Sequence, residues 1–278
     1  MIKNLIQRAL TGLVYISLII GGIVWNQYSF LALFLIVVSL CLVEFYGLLN
    51  TQKRTQVNVF YNTLGGLIML IATYLYASGT FPHWIFFAYL IYVVIVLISS
   101  LYEKKQDPIL NIAYIFLGQV YIALPIALLN FLVFNANTEG IREYTALFIL
   151  ALFVFIWIND TGAYLVGVTI GKHRLFERIS PKKSWEGFFG GLVFAALASL
   201  AFAHYVPEIA WYHWVGMSVF VVAFSTWGDL VESLMKRDLS VKDSGQALPG
   251  HGGFLDRFDS LLMAVYAMLF YTQLFILQ

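Results

Sequence analysis

Long apolar runs follow one another along this chain with only short breaks, and each is about the length that crosses a bilayer. Runs of roughly 17 to 25 mostly apolar residues span the hydrocarbon core as helices. About nine such runs are centred on residues 10–25, 29–49, 57–77, 83–102, 111–134, 145–169, 187–204, 211–228 and 258–277. The breaks carry turn and charge signals such as NTQKRTQ, SGTFPH, EKKQDP, NANTEG and GKHRLFERISPKKS. Composition agrees, since 61% of the 278 residues are hydrophobic and only 11% are charged, against about 25% charged in soluble domains. The expected fold class is all-α, a polytopic helical membrane protein. The first run follows Lys3 and Arg8, as a signal peptide would, but further spans come at once. It is expected to stay as the first transmembrane helix.

The distribution of positive charge tests the count of spans, because cytoplasmic loops collect Lys and Arg. With the N-terminus in the cytoplasm, the cytoplasmic segments hold Lys3, Arg8, Lys53, Arg54, Lys104, Lys105, Lys172, Arg174, Arg178, Lys182, Lys183, Lys236, Arg237, Lys242 and Arg257. Of the 16 Lys and Arg, Arg142 alone falls outside. The expected topology is therefore nine spans, N-terminus cytoplasmic and C-terminus outside, with any chemistry on the cytoplasmic face. No basic stripe of a nucleic-acid-binding module is present. The single cysteine, Cys41, lies within an apolar run and reads as a small buried hydrophobe. Residues 1–140, with five spans, read as a scaffold and dimerisation region. Residues 141–278, with four spans, hold the unusual side chains.

Six acids lie between Asp229 and Asp259: these two with Glu232, Asp238, Asp243 and Asp256. A solvated loop accounts for the middle of the segment, but Asp229 continues an apolar run and Asp256 and Asp259 open another. A charge inside the bilayer costs roughly 2.5–3.5 kcal/mol at full depth on insertion scales, so such residues point to function. Asp229, Glu232 and Lys236 share one helix face, and the spacing predicts that Asp256 and Asp259 share a face at the start of the next helix. Mg²⁺ takes one or two carboxylates together with substrate phosphate oxygens, so Asp229 and Asp256 could hold one. Structural ion pairs with Lys236, Arg237 or Arg257 are the competing reading. In PGHGG, Gly252 and Gly253 allow the backbone to turn sharply and to receive phosphate oxygens. His251 could bind phosphate, assist a leaving group or cap a turn.

A second cluster runs from residue 157 to 187. Asn159 and Asp160 interrupt an apolar run, and Asp160, Ala163, Tyr164 and Gly167 fall on one helix face. Ser180, Lys182, Lys183 and Ser184 precede another helix, where lysines and hydroxyls suit a polyphosphate. Together the clusters describe a metal and phosphate site. Acids to hold Mg²⁺ and bases to neutralise phosphate recur in phosphoryl and nucleotidyl transfer.

The run SLMKRDLSVKDSGQALPGHGGFLDRFD, Ser233 to Asp259, resembles the signature of the phosphatidate cytidylyltransferase family at every fixed position. ND-x-x-AY-x-x-G from Asn159 and SPKKSWEG from Ser180 resemble that family too. The resemblance implies CTP + phosphatidate → CDP-diacylglycerol + pyrophosphate in phospholipid biosynthesis. It implies a multi-pass enzyme of a bacterial-type inner membrane, a homodimer using Mg²⁺ with a monovalent cation such as K⁺ beside it. By the same resemblance, Asp229, Asp256 and Asp259 hold the metal, while Lys236, Arg237, Lys242, His251 and Arg257 handle phosphates. Asn159, Asp160, Ser180, Lys182, Lys183, Ser233, Asp243, Gly252 and Gly253 contact substrate. A CTP-using polyprenol kinase and an ion transporter with Asp160 on its path are the rival readings. The pattern of CDP-alcohol phosphotransferases, DG-x-x-AR with two further aspartates, is absent from the sequence.

Overall fold

The computed structural model describes residues 2–104, 106–136, 142–245 and 252–277, with side chains from residue 11 onward except that of Ala136. Helices dominate. Among the described residues, seven are long and apolar enough to cross a membrane: Gln27–Leu49, Val59–Ala77, His83–Tyr102, Pro108–Val133, Leu147–Ile170, Trp185–Tyr205 and Trp211–Asp238. The other two expected spans correspond to shorter apolar helices, Thr11–Val24 within the first helix and Asp259–Phe275. At about 1.5 Å per residue, a 17-residue helix such as Asp259–Phe275 reaches about 25 Å, short of the ~30 Å hydrocarbon core.

The chain forms two compact units, Met1–Ala146 with Asp243–Arg257, and Leu147–Lys242 with Phe258–Gln278. The glycine-rich segment, expected among the four C-terminal spans, thus belongs to the first unit. That unit opens with α1 (Ile2–Val24) and α2 (Gln27–Leu49). Asn26 caps α2 by accepting the Tyr28 and Ser29 N–H groups at 2.8 and 2.9 Å, which satisfies donors left over at a helix start. Then come α3 (Val59–Ala77) and, after a 3₁₀ turn at His83–Phe86, α4 (Phe87–Tyr102). The expected fifth span is one interrupted helix: α5 (Pro108–Gly118), a π-turn at Gln119–Ala123, α6 (Leu124–Leu128) and α7 (Asn130–Val133). Pro125 has no N–H to offer the preceding turn, and a wider turn lies just before it.

A buried polar network ties these helices together. The Tyr46 hydroxyl donates to the Ile115 carbonyl at 2.8 Å. Gln119, fully buried, donates to Tyr46 Oη at 3.0 Å and to the Asn62 carbonyl at 2.7 Å. In a bilayer the backbone and amide groups have no water to turn to, so such pairing holds α2, α3 and α5 in register.

The all-α expectation needs one correction, because two short antiparallel ribbons are present. β1 (Phe134–Ala136) pairs with β2 (Arg142–Tyr144), and β3 (Arg174–Phe176) with β4 (Ser180–Ser184). The second unit consists of α8 (Leu147–Ile170), the β3–β4 ribbon, α9 (Trp185–Tyr205), α10 (Trp211–Asp238) and α11 (Asp259–Phe275). Small residues let α8 and α9 lie close: a Cβ on Gly191 would sit 2.2 Å from Asn159 Oδ1 and 2.7 Å from the Asn159 carbonyl oxygen. α10 and α11 meet in the same way at Gly228, where a Cβ would lie 2.6 Å from the Asp259 carbonyl oxygen. Gly191→Val should accordingly lower stability by roughly 1–3 kcal/mol through overpacking, read as a shifted thermal transition in detergent. Gly47→Ala, which meets nothing within 4 Å, should leave the transition where it is.

Candidate active site

Within the second unit, side chains from α8, the ribbon, α9, α10 and α11 surround a cavity of about 300 Å³. Asn159, Asp160, Lys182 and Lys183, all singled out from the sequence, line it together with Asp229. Its wall also carries Ser184, Ser225, Thr226 and Ser260, hydroxyl-bearing residues that are themselves buried. Beside apolar residues such as Leu175 and Phe188, the wall thus carries hydroxyls, an amide, two ammonium groups and two carboxylates. Its chemistry suits a charged ligand with many oxygen atoms.

As expected from the sequence, Ser180, Lys182, Lys183 and Ser184 precede a helix; they form strand β4, and Ser184 caps α9 by accepting the Gly187 N–H at 3.1 Å. Glu186 braces the base of the ribbon, accepting the Lys172 N–H at 3.1 Å and meeting His173 Nδ1 at 2.6 Å.

Lys183 Nζ lies 2.7 Å from Asp229 Oδ2, and Ser233 Oγ donates to Asp229 Oδ1 at 3.2 Å. Both members of the ion pair are only about a third exposed (27% and 32%). The Asp259 carboxylate lies within electrostatic range of Asp229, Asp160 and Lys236. Two of these carboxylates, Asp160 and Asp229, line the cavity, and Lys183 neutralises one of them. Asn159 is 3% exposed, and its Oδ1 has no hydrogen-bond partner among the described residues. Carboxylate and amide oxygens are the ligands a hard cation prefers. Among the described residues, no group of three or more His, Cys, Asp or Glu is gathered as a complete metal shell. Mg²⁺ does not need one, since substrate phosphates and water fill the remainder of its octahedron.

Other predicted residues stand elsewhere. Lys236 pairs with the buried Glu232 one turn earlier on α10, so this pair is at least in part a structural one. Arg237 donates to the Val241 carbonyl at 3.0 Å, closing the end of α10, and Lys242 is exposed. His251 lies outside the described residues. Asp256 and Asp259 do not share a helix face as the spacing predicted. Asp256 sits in a 3₁₀ turn, Leu255–Arg257, and α11 begins only at Asp259.

In the first unit, Asp256 Oδ2 accepts the Ser244 and Gly253 N–H groups at 3.1 and 2.8 Å, while Asp243 and Arg257 are exposed. Gly252 has φ +82°, a left-handed conformation that favours glycine. A residue absent from the expectations, Glu44 of α2, accepts the Leu255 N–H at 2.8 Å. Its signal in the sequence was simple: it is the one charged residue in a 23-residue apolar helix.

These features define a polytopic helical membrane protein with a cavity that brings two lysines and two aspartates together. Comparison with known proteins agrees. The cytidylyltransferase family model matches residues 6–275, and the chain belongs to that family. A phosphatidate cytidylyltransferase of Staphylococcus aureus (strain COL) is 38% identical over 174 residues, covering 62% of this chain and 63% of the relative. The chain thus spans somewhat under two thirds of that relative's length. The protein of the same description from Staphylococcus saprophyticus is 32% identical over 247 residues, 88% of each chain.

The Lys183–Asp229 pair is open to direct measurement. A double-mutant cycle of Lys183→Met and Asp229→Asn should give a stability coupling of about 1 kcal/mol, the upper end for partly exposed pairs. Strictly additive effects would show that the two groups do not interact.

Proposed function

We propose that this protein transfers the cytidylyl group of CTP to phosphatidate, releasing pyrophosphate and forming CDP-diacylglycerol for phospholipid synthesis. The observation that carries this reading is the cavity in which Lys182, Lys183, Asp160, Asp229 and Asn159 converge, in a chain whose family match spans residues 6–275. The names of the bacterial relatives support it.

A phosphate oxygen of phosphatidate attacks the α-phosphorus of CTP in line. A new P–O bond forms, the bond to the bridging oxygen of the β-phosphate breaks, and its electron pair leaves with pyrophosphate. The nucleophile is already anionic at neutral pH, so the protein needs no strong general base. Catalysis then rests on positioning and on neutralising charge. Lys182 and Lys183 offset the negative charge that collects on the phosphates. Asp229, freed from Lys183 when a phosphate takes the ammonium, becomes available as an oxygen ligand. Ser233 holds Asp229 in orientation, and Asn159 offers an unpaired oxygen at the buried wall. Mg²⁺ would supply Lewis-acid polarisation of the phosphates, and it is the family resemblance that assigns Asp229, Asp256 and Asp259 to hold it. The motif from Ser233 to Asp259 supports the assignment of Asp256, with Lys236, Arg237, Lys242, His251 and Arg257 handling phosphate charge. Ser180, Asp243, Gly252 and Gly253 complete the substrate contacts on the same basis.

The proposal includes nine spans, with the N-terminus in the cytoplasm and the C-terminus outside, in a bacterial inner membrane. The Lys and Arg distribution supports that orientation and turns the site toward cytoplasmic CTP. A homodimer and a K⁺ ion beside Mg²⁺ belong to the proposal through the family resemblance.

Purified protein given CTP labelled in the cytidine, phosphatidate and Mg²⁺ should yield a labelled liponucleotide and pyrophosphate, and chelation should stop it. Release of CDP instead would indicate a lipid kinase. Asp229→Asn and Asp256→Asn should each reduce turnover to background while the protein stays folded; normal turnover in either would refute the metal assignment.

A further inference from the structure

A second knot of polar atoms lies in the first unit, where α2 meets the segment Asp243–Arg257. A carboxylate in an apolar helix is costly and is retained where something repays it. Glu44 Oε2 accepts the Leu255 N–H at 2.8 Å. Glu44 Oε1 is buried and has no hydrogen-bond partner among the described residues. The loop backbone closes around that oxygen so tightly that a Cβ on Gly245 would lie 1.8 Å from it, and one on Gly253 would lie 2.1 Å away. Ser244 Oγ borders the same spot, 2.1 Å from the Gly253 Cβ position; Ser244 is 5% exposed and its hydroxyl is also unpartnered among the described residues.

Asp256 grips the loop from within, through the Ser244 and Gly253 N–H groups. Those bonds are internal to the segment and fix its shape without fixing its place. Glu44 ties the segment to α2 at the residue immediately before Asp256, and Tyr15 of α1 donates to the Arg257 carbonyl at 3.4 Å.

We propose that Glu44 is a positioning residue for cytidylyl transfer: from α2 it anchors the turn that carries Asp256 and Arg257. The inference rests on the function proposed above. It gives the N-terminal helices a part in the chemistry, where the sequence suggested scaffold alone. Because the role is placement, loss of the acceptor should reduce kcat more than it changes KM. A displacement of about 1 Å at a catalytic group can cost about 10²-fold in rate.

The test uses the full-length protein in detergent or nanodiscs, with kcat, KM for CTP and phosphatidate, and the thermal transition measured on each variant. Glu44→Ala should lower kcat per folded enzyme by about 10²-fold, with both KM values within about twofold. Glu44→Gln, which keeps an oxygen to accept the Leu255 N–H, should restore most of the rate. Gly245→Ala should reproduce the loss with residue 44 intact, because the new methyl displaces the carboxylate; it decides the matter if Glu44→Ala does not fold. Wild-type kcat in Gly245→Ala, or in folded Glu44→Ala, would overturn the proposal. Glu44→Gln as slow as Glu44→Ala would overturn it as well, since an acceptor would then not suffice. In either case an active wild type with an inactive Asp256→Asn leaves the proposed function standing, whereas an inactive wild type refutes that reading itself.

Discussion

Charge held among apolar helices is the constraint on which the rest depends. A bilayer offers no water to solvate a carboxylate, so each acid must find a cation, a donor or a ligand within the protein. In the second unit Asp229 meets Lys183 at 2.7 Å, and Asp160 and Asp259 bear on the same region. Like charges in one region repel one another. The proposed divalent ion with a bound polyphosphate would relieve that repulsion and occupy the lysines at the same time. The ground-state ion pair and the proposed ligand thus compete for the same groups, which is how a site can be folded when empty and still bind an anion.

The helices that carry these groups owe their approach to missing side chains. Gly191 against Asn159 and Gly228 against Asp259 bring backbone to within reach of polar groups, and larger residues would separate those helices. The same economy operates in the first unit, where Gly245 and Gly253 admit the Glu44 carboxylate. Small residues in both units therefore serve the placement of acids as much as the packing of helices.

Much of this was legible in the sequence, and the reasons for the remainder are physical. Apolar length marked the helices, because spanning a bilayer leaves few alternatives. The Asn159–Asp160 pair stood out as polar residues within an apolar run, and the structure puts both at the cavity with Lys182 and Lys183. The β3–β4 ribbon was missed, since SPKKS carries no alternating apolar pattern to mark a strand. The shared face expected for Asp256 and Asp259 failed because the helix starts after Phe258, whose backbone sits at φ −118° and ψ 0°. Glu44 left one trace, a lone charge in an apolar run, but its partner, Leu255, is 211 residues away, and no local spacing announces such a pairing.

The central claim is that the Asp229 carboxylate helps to hold a divalent ion together with a nucleoside triphosphate. Electron paramagnetic resonance of Mn²⁺, used in place of Mg²⁺ and titrated into purified protein with and without CTP, tests it without requiring turnover. The account predicts that CTP and the ion strengthen each other's binding in the wild type and that Asp229→Asn abolishes this coupling. Equal Mn²⁺ uptake by both proteins, indifferent to CTP, would contradict it.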